Sequence, residues 1–392
     1  QDGFPEWDHP FQIGLDEIPL FHPWHEDAQG VDPEAVESPS LAAMLYREAG
    51  SLAEIAELLG RDADAAWLNE RQAVLSAETE KTWNEQESTY YYRDALTHGS
   101  SAGTLLLEIN STGIFPIMQS FGQPQRFLLR FIPQGEMTRQ NLLLIYGETP
   151  EGPVTEEVNP RKIHWLHGVG RYTTQHHFIR LIEVAARIML PGDRCEVRTI
   201  DFTSEDISLL LPLWAGIPDT GRAEKIIKET ILPRYLQPFG LTACPIDRCP
   251  ANSSAASVYL PWNQMVGEGM LHYGYRGEAA RLVTVLLNAV VKNLKESHAF
   301  YTALDPVTGK GYASRNTLTG LAPVGLFLEV LGLKKISAEE VIVAGLNPFS
   351  HPVTVQYRGT KVHFSSQHTQ VTFAGGQSAT VSDDDLHTIS LP

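Results

Sequence analysis

The hydrophobic period changes three times along the chain, and this constrains the fold more than any single motif. From about residue 40 to residue 83, apolar residues recur every three or four positions, which predicts amphipathic helices. Between residues 103 and 202 the apolar runs are short and bounded by Gly, Pro and Asn, which predicts strands. Helical spacing returns over residues 205–331, and alternation returns from residue 340. The sequence therefore predicts a helical protein with one β-rich unit inside it and another at its end.

Two segments need a finer interpretation. Ser51 followed by Glu54 three residues later has the pattern of a capping box, and Gly60 is placed to end the same helix. This predicts a helix that is separate from the preceding one over residues 40–48. The run at 177–188 fits both periods, so a strand and a helix both remain open there.

Length and charge exclude several classes of function. A chain of 392 residues is long enough for two or three domains. Its net charge of −17 disfavours nucleic acid and anionic membrane surfaces as partners, whereas a neutral sugar is not repelled. No run of about 18 apolar residues is present, so we expect no insertion into a membrane.

The three cysteines and the first residue bear on the compartment. Cys244 and Cys249 flank a four-residue loop and are interpreted either as free thiols or as a small disulfide, which leaves Cys195 unpaired. The histidines do not have the spacing of a metal-ligand set, so neither metal nor cofactor is expected. The chain begins with Gln1 rather than Met, which indicates a processed or truncated start and favours a secreted or cell-surface location over the cytoplasm.

Five short motifs follow one another in a definite order along the chain. They are Gly-Leu-Asp-Glu-Ile-Pro at 14–19, Val-Glu-Ser-Pro-Ser-Leu-Ala at 36–42, Tyr-Tyr-Tyr-Arg-Asp at 90–94, Leu-Pro-Leu-Trp-Ala-Gly at 211–216, and Tyr-Leu-Pro-Trp-Asn-Gln at 259–264. Their order, more than any one of them, resembles the (α/α)6-barrel glycoside hydrolases of the trehalase, processing α-glucosidase and mannosylglycerate hydrolase-like group, which includes amylo-α-1,6-glucosidase-like proteins.

The resemblance implies roles for particular residues. Asp16, with Glu17 beside it, stands at the position of the family's general acid, which protonates the leaving oxygen of a glycosidic bond. A loop cap or a solvated acid pair is the simpler alternative for these two carboxylates. The expected substrate contacts are His22, Trp24, Tyr259, Trp262 and Asn263. The three aromatic residues among them are interpreted either as platforms for sugar rings or as core, and Asn263 as a partner for sugar hydroxyls.

The sequence departs from the family at two places. The family's general base is a Glu three residues before the Asp-Pro-x-Thr-Gly turn, and Thr302 stands at that position. Because a hydroxyl is no base at neutral pH without an activating partner, Glu268 is considered as a replacement, with a surface acid as the alternative. The family also places several helices before the acid motif. Half of the toroid is therefore absent, or lies on another chain, or the helices close differently.

These observations predict a mainly α protein: an (α/α)6-toroid-like domain, incomplete at its N-terminal side, with an inserted β-sandwich and a C-terminal β tail. The expected boundaries are 1–102 and 203–338 for the toroid, 103–202 for the insert and 339–392 for the tail. The loops at 14–25 and 259–263 are expected on one rim, with Asp16 within about 15 Å of Trp262.

The predicted function is inverting hydrolysis of a neutral α-linked glucoside or mannoside. The alternative is a non-catalytic carbohydrate-binding or structural surface protein that keeps the scaffold without the base. The expected partner is an oligosaccharide or glycoside substrate. A homo-oligomer, or a companion chain that completes the barrel, is considered as a further partner.

Overall fold

A computed structural model of the protein describes residues 3–15, 18–21, 28–134, 143–166, 168–249 and 254–391. The chain divides into two compact units, each assembled from two separate stretches of sequence. The first unit comprises Gln1–Ile217 and Ala243–Ala256, and the second comprises Pro218–Thr242 and Ser257–Pro392. Each unit combines helices with antiparallel sheets.

The first unit contains three α-helices and thirteen strands among its described residues. Its helices are α1 (Pro39–Leu58), α2 (Asp62–Glu80) and α3 (Leu211–Ala215). Its strands are β1 (Val36–Glu37), β2 (Trp83–Asn84), β3 (Thr89–Tyr90), β4 (Arg93–Asp94), β5 (Leu105–Ile109), β6 (Gly113–Gln125), β7 (Phe127–Ile132), β8 (Leu143–Thr149), β9 (Gly152–Glu157), β10 (His164–Leu166), β11 (Val169–Thr173), β12 (Phe178–Ala186) and β13 (Arg194–Thr199).

Helices α1 and α2 form a hairpin, and its packing explains an error of the sequence interpretation. The predicted break before Ser51 is wrong, because α1 continues without interruption through Gly50 and Ser51. A Cβ on Gly50 would lie 2.5 Å from Nε2 of Gln72 on α2. Gly50 therefore permits a close approach of the two helices instead of ending one of them.

Two antiparallel sheets of the first unit pack face to face. One has the strand order β10-β11-β7-β13-β5 and the other the order β6-β12-β8-β9. Residues of both sheets share one apolar core, in which the Phe127 and Phe178 rings stack at 5.0 Å between centroids. The ambiguous run at 177–188 contains strand β12, which pairs with β6 and β8.

The ends of this β-sandwich lie side by side. The amide of Phe202 donates to the carbonyl of Ser101 at 3.0 Å, and the amide of Thr199 donates to the carbonyl of Thr104 at the same distance. A Cβ on Gly103 would lie 2.7 Å from Cβ of Asp201. The chain thus enters and leaves the two packed sheets at neighbouring points.

The second unit contains four α-helices and eleven strands among its described residues. Its helices are α4 (Thr220–Lys225), which continues into a π-helix (Ile226–Tyr235), then α5 (Leu260–His272), α6 (Arg276–Ser297) and α7 (Val324–Leu331). Its strands are β14 (Leu236–Gln237), β15 (Gly240–Leu241), β16 (Tyr301–Leu304), β17 (Gly311–Arg315), β18 (Leu333–Ile336), β19 (Glu340–Ala344), β20 (Val353–Tyr357), β21 (Thr360–Phe364), β22 (Thr369–Thr372), β23 (Ser378–Val381) and β24 (Leu386–Ser390).

Small residues and aliphatic side chains connect the elements of the second unit. On α5, a Cβ at Gly267 would meet Cδ2 of Leu326 at 2.4 Å, so this glycine allows α5 and α7 to pack closely. The C-terminal strands form a four-stranded meander, β20-β21-β22-β23, and a three-stranded sheet, β18-β19-β24. Their core joins Phe364 and Val371 of the meander to Leu331 at the end of α7.

The prediction of a mainly α class is wrong for the described residues. Strands make up 31% of the structure, and the seven described α-helices are too few for the six helical pairs of a complete toroid. Two of the seven, α3 and α4, have five and six residues. The helical share is reduced by the shortness of α3 and α4, and the strand share is raised by short strands outside the predicted β regions, such as β16 and β17.

Candidate functional site

The acid-motif segment is anchored on both sides of its two carboxylates. Asp16 and Glu17 lie outside the described residues, whereas the flanking Leu15 and Ile18 are buried. The amides of Gln29 and Gly30 donate to the carbonyls of Pro19 and Leu20 at 2.9 and 3.0 Å. The main chain that leads into and out of the motif is therefore held by buried apolar side chains and by backbone hydrogen bonds. His22 and Trp24 also lie outside the described residues.

Two cavities of the first unit border this segment. The first, called here the aromatic cavity, has a volume of about 160 Å³ and is lined by Phe11, Phe21, His9 and Asp32 together with His164 and Arg171. The Phe11 side chain is 52% exposed, and its ring lies 5.0 Å from that of His9. An exposed ring beside a carboxylate and an imidazole can offer a sugar both an apolar face and hydrogen-bonding groups.

The two packed sheets contribute Arg171 to the aromatic cavity. Arg171 is buried on β11, and its Nε donates to the carbonyl of Ala28 at 3.3 Å. Its side chain passes so close to Gly30 that a Cβ there would lie 1.9 Å from Cδ of Arg171. Burial, together with the charge of Arg130, lowers the pKa of Arg171 to about 10, so it remains a cation at neutral pH.

The second cavity, called here the polar cavity, has a volume of about 330 Å³ and borders Pro19 of the acid motif. Arg248 holds one wall, since its guanidinium lies 2.5 Å from Oε1 of buried Glu205 and 3.0 Å from Oε2 of Glu87. Its Nη1 also donates to the carbonyl of Thr203 at 3.3 Å. The guanidinium is thus fixed in orientation by two carboxylates, which is the arrangement by which Arg recognises polar groups.

Gln29 connects the acid-motif segment to the far wall of the polar cavity. Its Nε2 donates to the carbonyl of Asp201 and to Oγ of Ser204, both at 2.9 Å, and its Oε1 accepts from the amide of Asp201 at 2.8 Å. Asp201 and Ser204 both line the cavity. The segment that carries the motif and the segment after the β-sandwich are therefore held in register by one side chain.

The Tyr-Tyr-Tyr-Arg-Asp motif is a buried scaffold for this region. The Tyr92 hydroxyl donates to Oδ2 of Asp206 at 2.6 Å, and the Arg93 guanidinium lies 2.7 Å from Oε2 of Glu37. Burial raises the pKa of Asp206 to about 6, against the opposing effect of the hydrogen bonds from Ser208 and Tyr92. Burial, with the Asp206 charge added, also raises the pKa of Tyr92 well above its usual range.

In the second unit, two of the predicted substrate contacts, Trp262 and Asn263, are buried. Asn263 is fully buried, and its Oδ1 accepts from the amide of Leu241 at 2.6 Å. Its Nδ2 donates to the carbonyls of Leu241 and Tyr259 at 3.0 and 2.9 Å. Trp262 is 5% exposed, whereas a sugar platform needs an open ring face. Asn263 therefore supports strand β15, Trp262 belongs to the core, and Tyr259 is half-buried beside them.

The two candidates for the base differ in their surroundings. Glu268 is half-buried on α5 and accepts a hydrogen bond from Nε2 of Gln264 at 2.9 Å. Thr302 lies on β16, where its hydroxyl contacts the carbonyl of Ser314 at 3.2 Å and Oγ1 of Thr317 at 2.9 Å. Neither Thr302 nor its partners in these contacts is a carboxylate, so none of them activates the hydroxyl as a base.

Several site residues were not found from the sequence. Arg171 lay within the predicted β-rich unit but in no motif, and Gln29, Glu205 and Arg248 belong to no motif either. They meet because distant segments fold together, so spacing along the chain gives no signal for them. Cys195, Cys244 and Cys249 form no disulfide, and the thiol of Cys249 donates to the carbonyl of Cys244 at 3.2 Å.

Within the described residues, no cluster of three or more His, Cys, Asp or Glu is arranged to hold a metal ion. Across the same part of the chain, none of the helices combines the length and the apolar character needed to cross a bilayer.

Comparison with known sequences identifies the relatives of the acid-motif region. Residues 6–130 match the family model of the mannosylglycerate hydrolase MGH1-like glycoside hydrolase domain. Mannosylglycerate hydrolase of Thermus thermophilus is 35% identical over 105 residues, which are 26% of this chain and 24% of that protein. The predicted resemblance to this group of glycoside hydrolases is confirmed. The chain spans about a quarter of the length of the curated relative that it matches.

Solved structures give looser matches. The GH63 mannosylglycerate hydrolase from Thermus thermophilus in complex with glucose superposes with a TM-score of 0.48 at 17% identity, over 84% of this chain and 63% of that one. Neutral trehalase Nth1 from Saccharomyces cerevisiae gives a TM-score of 0.43 at 13% identity, over 79% of this chain and 40% of that one. Both scores are below 0.5, so the relationship rests on the sequence matches.

Proposed function

We propose that the protein is a glycoside hydrolase that cleaves an α-linked glucoside or mannoside with inversion, and that Asp16 is its general acid. The observation that carries this proposal is the position of the acid motif inside the stretch that matches the MGH1-like domain, residues 6–130. Inversion needs one carboxylic acid to protonate the leaving oxygen and a second group to activate water on the opposite face of the sugar.

The surroundings of the motif support a carbohydrate substrate. The aromatic cavity offers the exposed Phe11 ring, and the polar cavity offers the fixed Arg248 guanidinium and the hydroxyls of Thr203 and Ser204. Ring faces and oriented hydrogen-bonding groups are the features by which proteins bind sugars. His22 and Trp24 remain proposed substrate contacts, on the sequence alone.

The first substrate to test is an α-mannoside of glyceric acid, because the matching relative is named a mannosylglycerate hydrolase. Aryl α-glucosides and aryl α-mannosides test whether the protein hydrolyses neutral substrates. Product release is measured as free sugar, and the anomer first formed is identified by proton NMR. Inversion predicts that the β-anomer appears first from either α-linked substrate.

The decisive variant is Asp16→Asn, with Glu17→Gln as the matched control. Loss of a general acid lowers the rate by about 10²–10⁴-fold, whereas the neighbouring amide substitution is expected to leave most of the rate. Equal rates for wild type and Asp16→Asn on every substrate would contradict the assignment of the acid.

The base is tested by a second pair of variants. If Glu268 is the base, Glu268→Gln abolishes hydrolysis while Thr302→Val leaves it unchanged. If the base is missing at Thr302, the wild-type rate is low, and Thr302→Glu or added azide raises it.

The second candidate is a non-catalytic carbohydrate-binding protein, and the observation that favours it is Thr302 in place of a carboxylate. This candidate predicts that oligosaccharides bind with no turnover in wild type, in Thr302→Glu and in the presence of azide. Calorimetry beside the hydrolysis assay separates the two candidates.

A further inference from the structure

A third cavity lies on the inserted β-sandwich and belongs to neither the acid motif nor its two cavities. This sandwich cleft has a volume of about 470 Å³ and is lined by residues 96–97, 123–124, 149–151 and 175–177. These residues come from the turn after β4, the end of β6, the β8–β9 turn and the β11–β12 turn. Turns gathered at one end of a β-sandwich are a common place for a binding site.

A buried carboxylate fixes one wall of the sandwich cleft. Glu156 is 4% exposed and accepts from the amides of Gln175 and His176 at 2.7 and 3.0 Å. It also lies 2.9 Å from Nδ1 of His176 and accepts from the Tyr172 hydroxyl at 2.8 Å. Because Nδ1 is directed at the carboxylate, the other ring nitrogen of His176, Nε2, is the one available to a ligand.

A second buried carboxylate fixes the opposite wall. Asp94 is 3% exposed, and its Oδ1 accepts from the amides of Leu96 and Thr97 at 3.0 and 2.9 Å and lies 2.8 Å from Nε2 of His177. Although burial raises the pKa of Asp94, the hydrogen bond from His177 and the charges of His177 and Arg126 keep it lowered. Nε of Arg126 lies 2.8 Å from Nε2 of His177 and 3.3 Å from Oδ2 of Asp94, so the three side chains hold one another in place.

Burying two carboxylates is costly, and both are satisfied largely by groups that shape the sandwich cleft. Their effect is to hold the turns at 96–97 and 175–177 in one conformation before any ligand arrives. Such a rigid arrangement lowers the entropy that a ligand must lose to bind.

The chemistry of the lining selects the class of ligand. Gln123 and Gln175 supply amides, Thr97 and Thr149 supply hydroxyls, and two imidazoles lie beside them. Apart from the two histidines, Glu151 is the one ionisable residue among the described residues that line the cleft. This set offers donors and acceptors in similar number and no cationic cluster for phosphate, and it suits the many hydroxyls of a sugar.

We propose that the sandwich cleft binds a neutral oligosaccharide, at a site separate from the acid motif. The binding is independent of whether Asp16 is catalytic. Its role would be to hold a chain-like carbohydrate on the protein while another part of that carbohydrate is free to react.

The experiment is calorimetric titration of the full chain carrying Asp16→Asn, so that no probe is consumed, with maltoheptaose, α-1,2-mannotriose and acidic trigalacturonate. The test variant adds Gln123→Ala and Glu151→Ala, two exposed side chains that line the cleft. The matched control adds Gln119→Ala and Glu157→Ala, exposed on β6 and at the end of β9 but outside the cleft.

We expect at least one neutral probe to bind, its Kd to rise about tenfold or more in the test variant, and to stay within about twofold in the control. Three results would overturn the proposal: no binding of either neutral probe, an equal Kd in test and control variants, or binding of trigalacturonate alone. The same two pairs of substitutions are also made in the protein that keeps Asp16. Hydrolysis of aryl α-mannoside by these variants reports separately on the proposed enzyme activity.

Discussion

Replacing Asn263 by alanine is expected to destabilise the second unit, because this side chain acts as a pairing partner for strand β15. The amide and carbonyl of Leu241 both bond to Asn263, at 2.6 and 3.0 Å, and Leu241 is fully buried. Pairing of β15 with β14 does not replace these bonds. The nearby backbone hydrogen bond runs from the amide of Thr242 to the carbonyl of Tyr235 and involves neither backbone group of Leu241.

The magnitude follows from the groups left behind. Asn263→Ala removes the partner of two buried backbone groups, each of which costs about 1–3 kcal/mol when unsatisfied. A loss of about 2–5 kcal/mol in the free energy of unfolding is therefore expected. Gln264→Ala is the control, because the side-chain amide of Gln264 bonds to Glu268 on the same helix and its removal is expected to cost about 0.5 kcal/mol.

Asn263→Asp tests whether the stability of the variant rises or falls with pH. A carboxylate there would accept from the amide of Leu241 but face two carbonyls, so its folded-state pKa is raised above the unfolded value of about 3.9. The variant is therefore more stable below pH ~4 than at neutral pH, and loses that stability as the pH rises through the raised pKa.

The assay is urea unfolding followed by circular dichroism, with hydrogen exchange at the Leu241 amide as the local readout. We expect faster exchange at this amide in Asn263→Ala than in Gln264→Ala. Unfolding of Asn263→Ala within about 0.5 kcal/mol of wild type, with unchanged exchange, would refute the structural role and restore Asn263 as a candidate for substrate binding.

Two further predictions concern the first unit. Asp206 is fully buried and its pKa is raised to about 6, so its contribution to stability is present below pH ~4 and is lost as the pH rises through 6. The free energy of unfolding should therefore fall by up to about 3 kcal/mol between pH 4 and pH 8 on account of this group. Asp206→Asn should remove that fall. An unchanged slope would contradict the raised pKa. Gly30→Ala, at a φ of +71°, would place its Cβ against the Arg171 side chain and should cost more than about 2 kcal/mol. Gly14→Ala, at a φ of +75° and with no atom of the described residues within 4 Å of the added Cβ, should cost about 1–2 kcal/mol. Equal melting temperatures for the two variants would contradict the packing argument.

Local sequence patterns determined, for many segments, whether the segment is a helix or a strand. The alternating segments 104–109 and 195–202 overlap strands β5 and β13, and the segment 278–294 with three-and-four spacing lies within α6. These patterns work because the side-chain period of a strand or helix is a property of neighbouring residues. The acid motif was likewise read from consecutive residues, and its stretch matches a glycoside hydrolase domain.

Tertiary packing decided the rest, and the errors show why. Ser51 has the local pattern of a cap, but the contact of Gly50 with α2 keeps the helix continuous. Asn263 and Trp262 have the residue types of a sugar site, but their environment is a buried strand and core. Arg248 pairs with Glu205, and Arg171 donates to the carbonyl of Ala28, in each case from a segment far away in sequence. A residue's type states what it can bond to; which partner it meets depends on distant segments, and no local period encodes that contact.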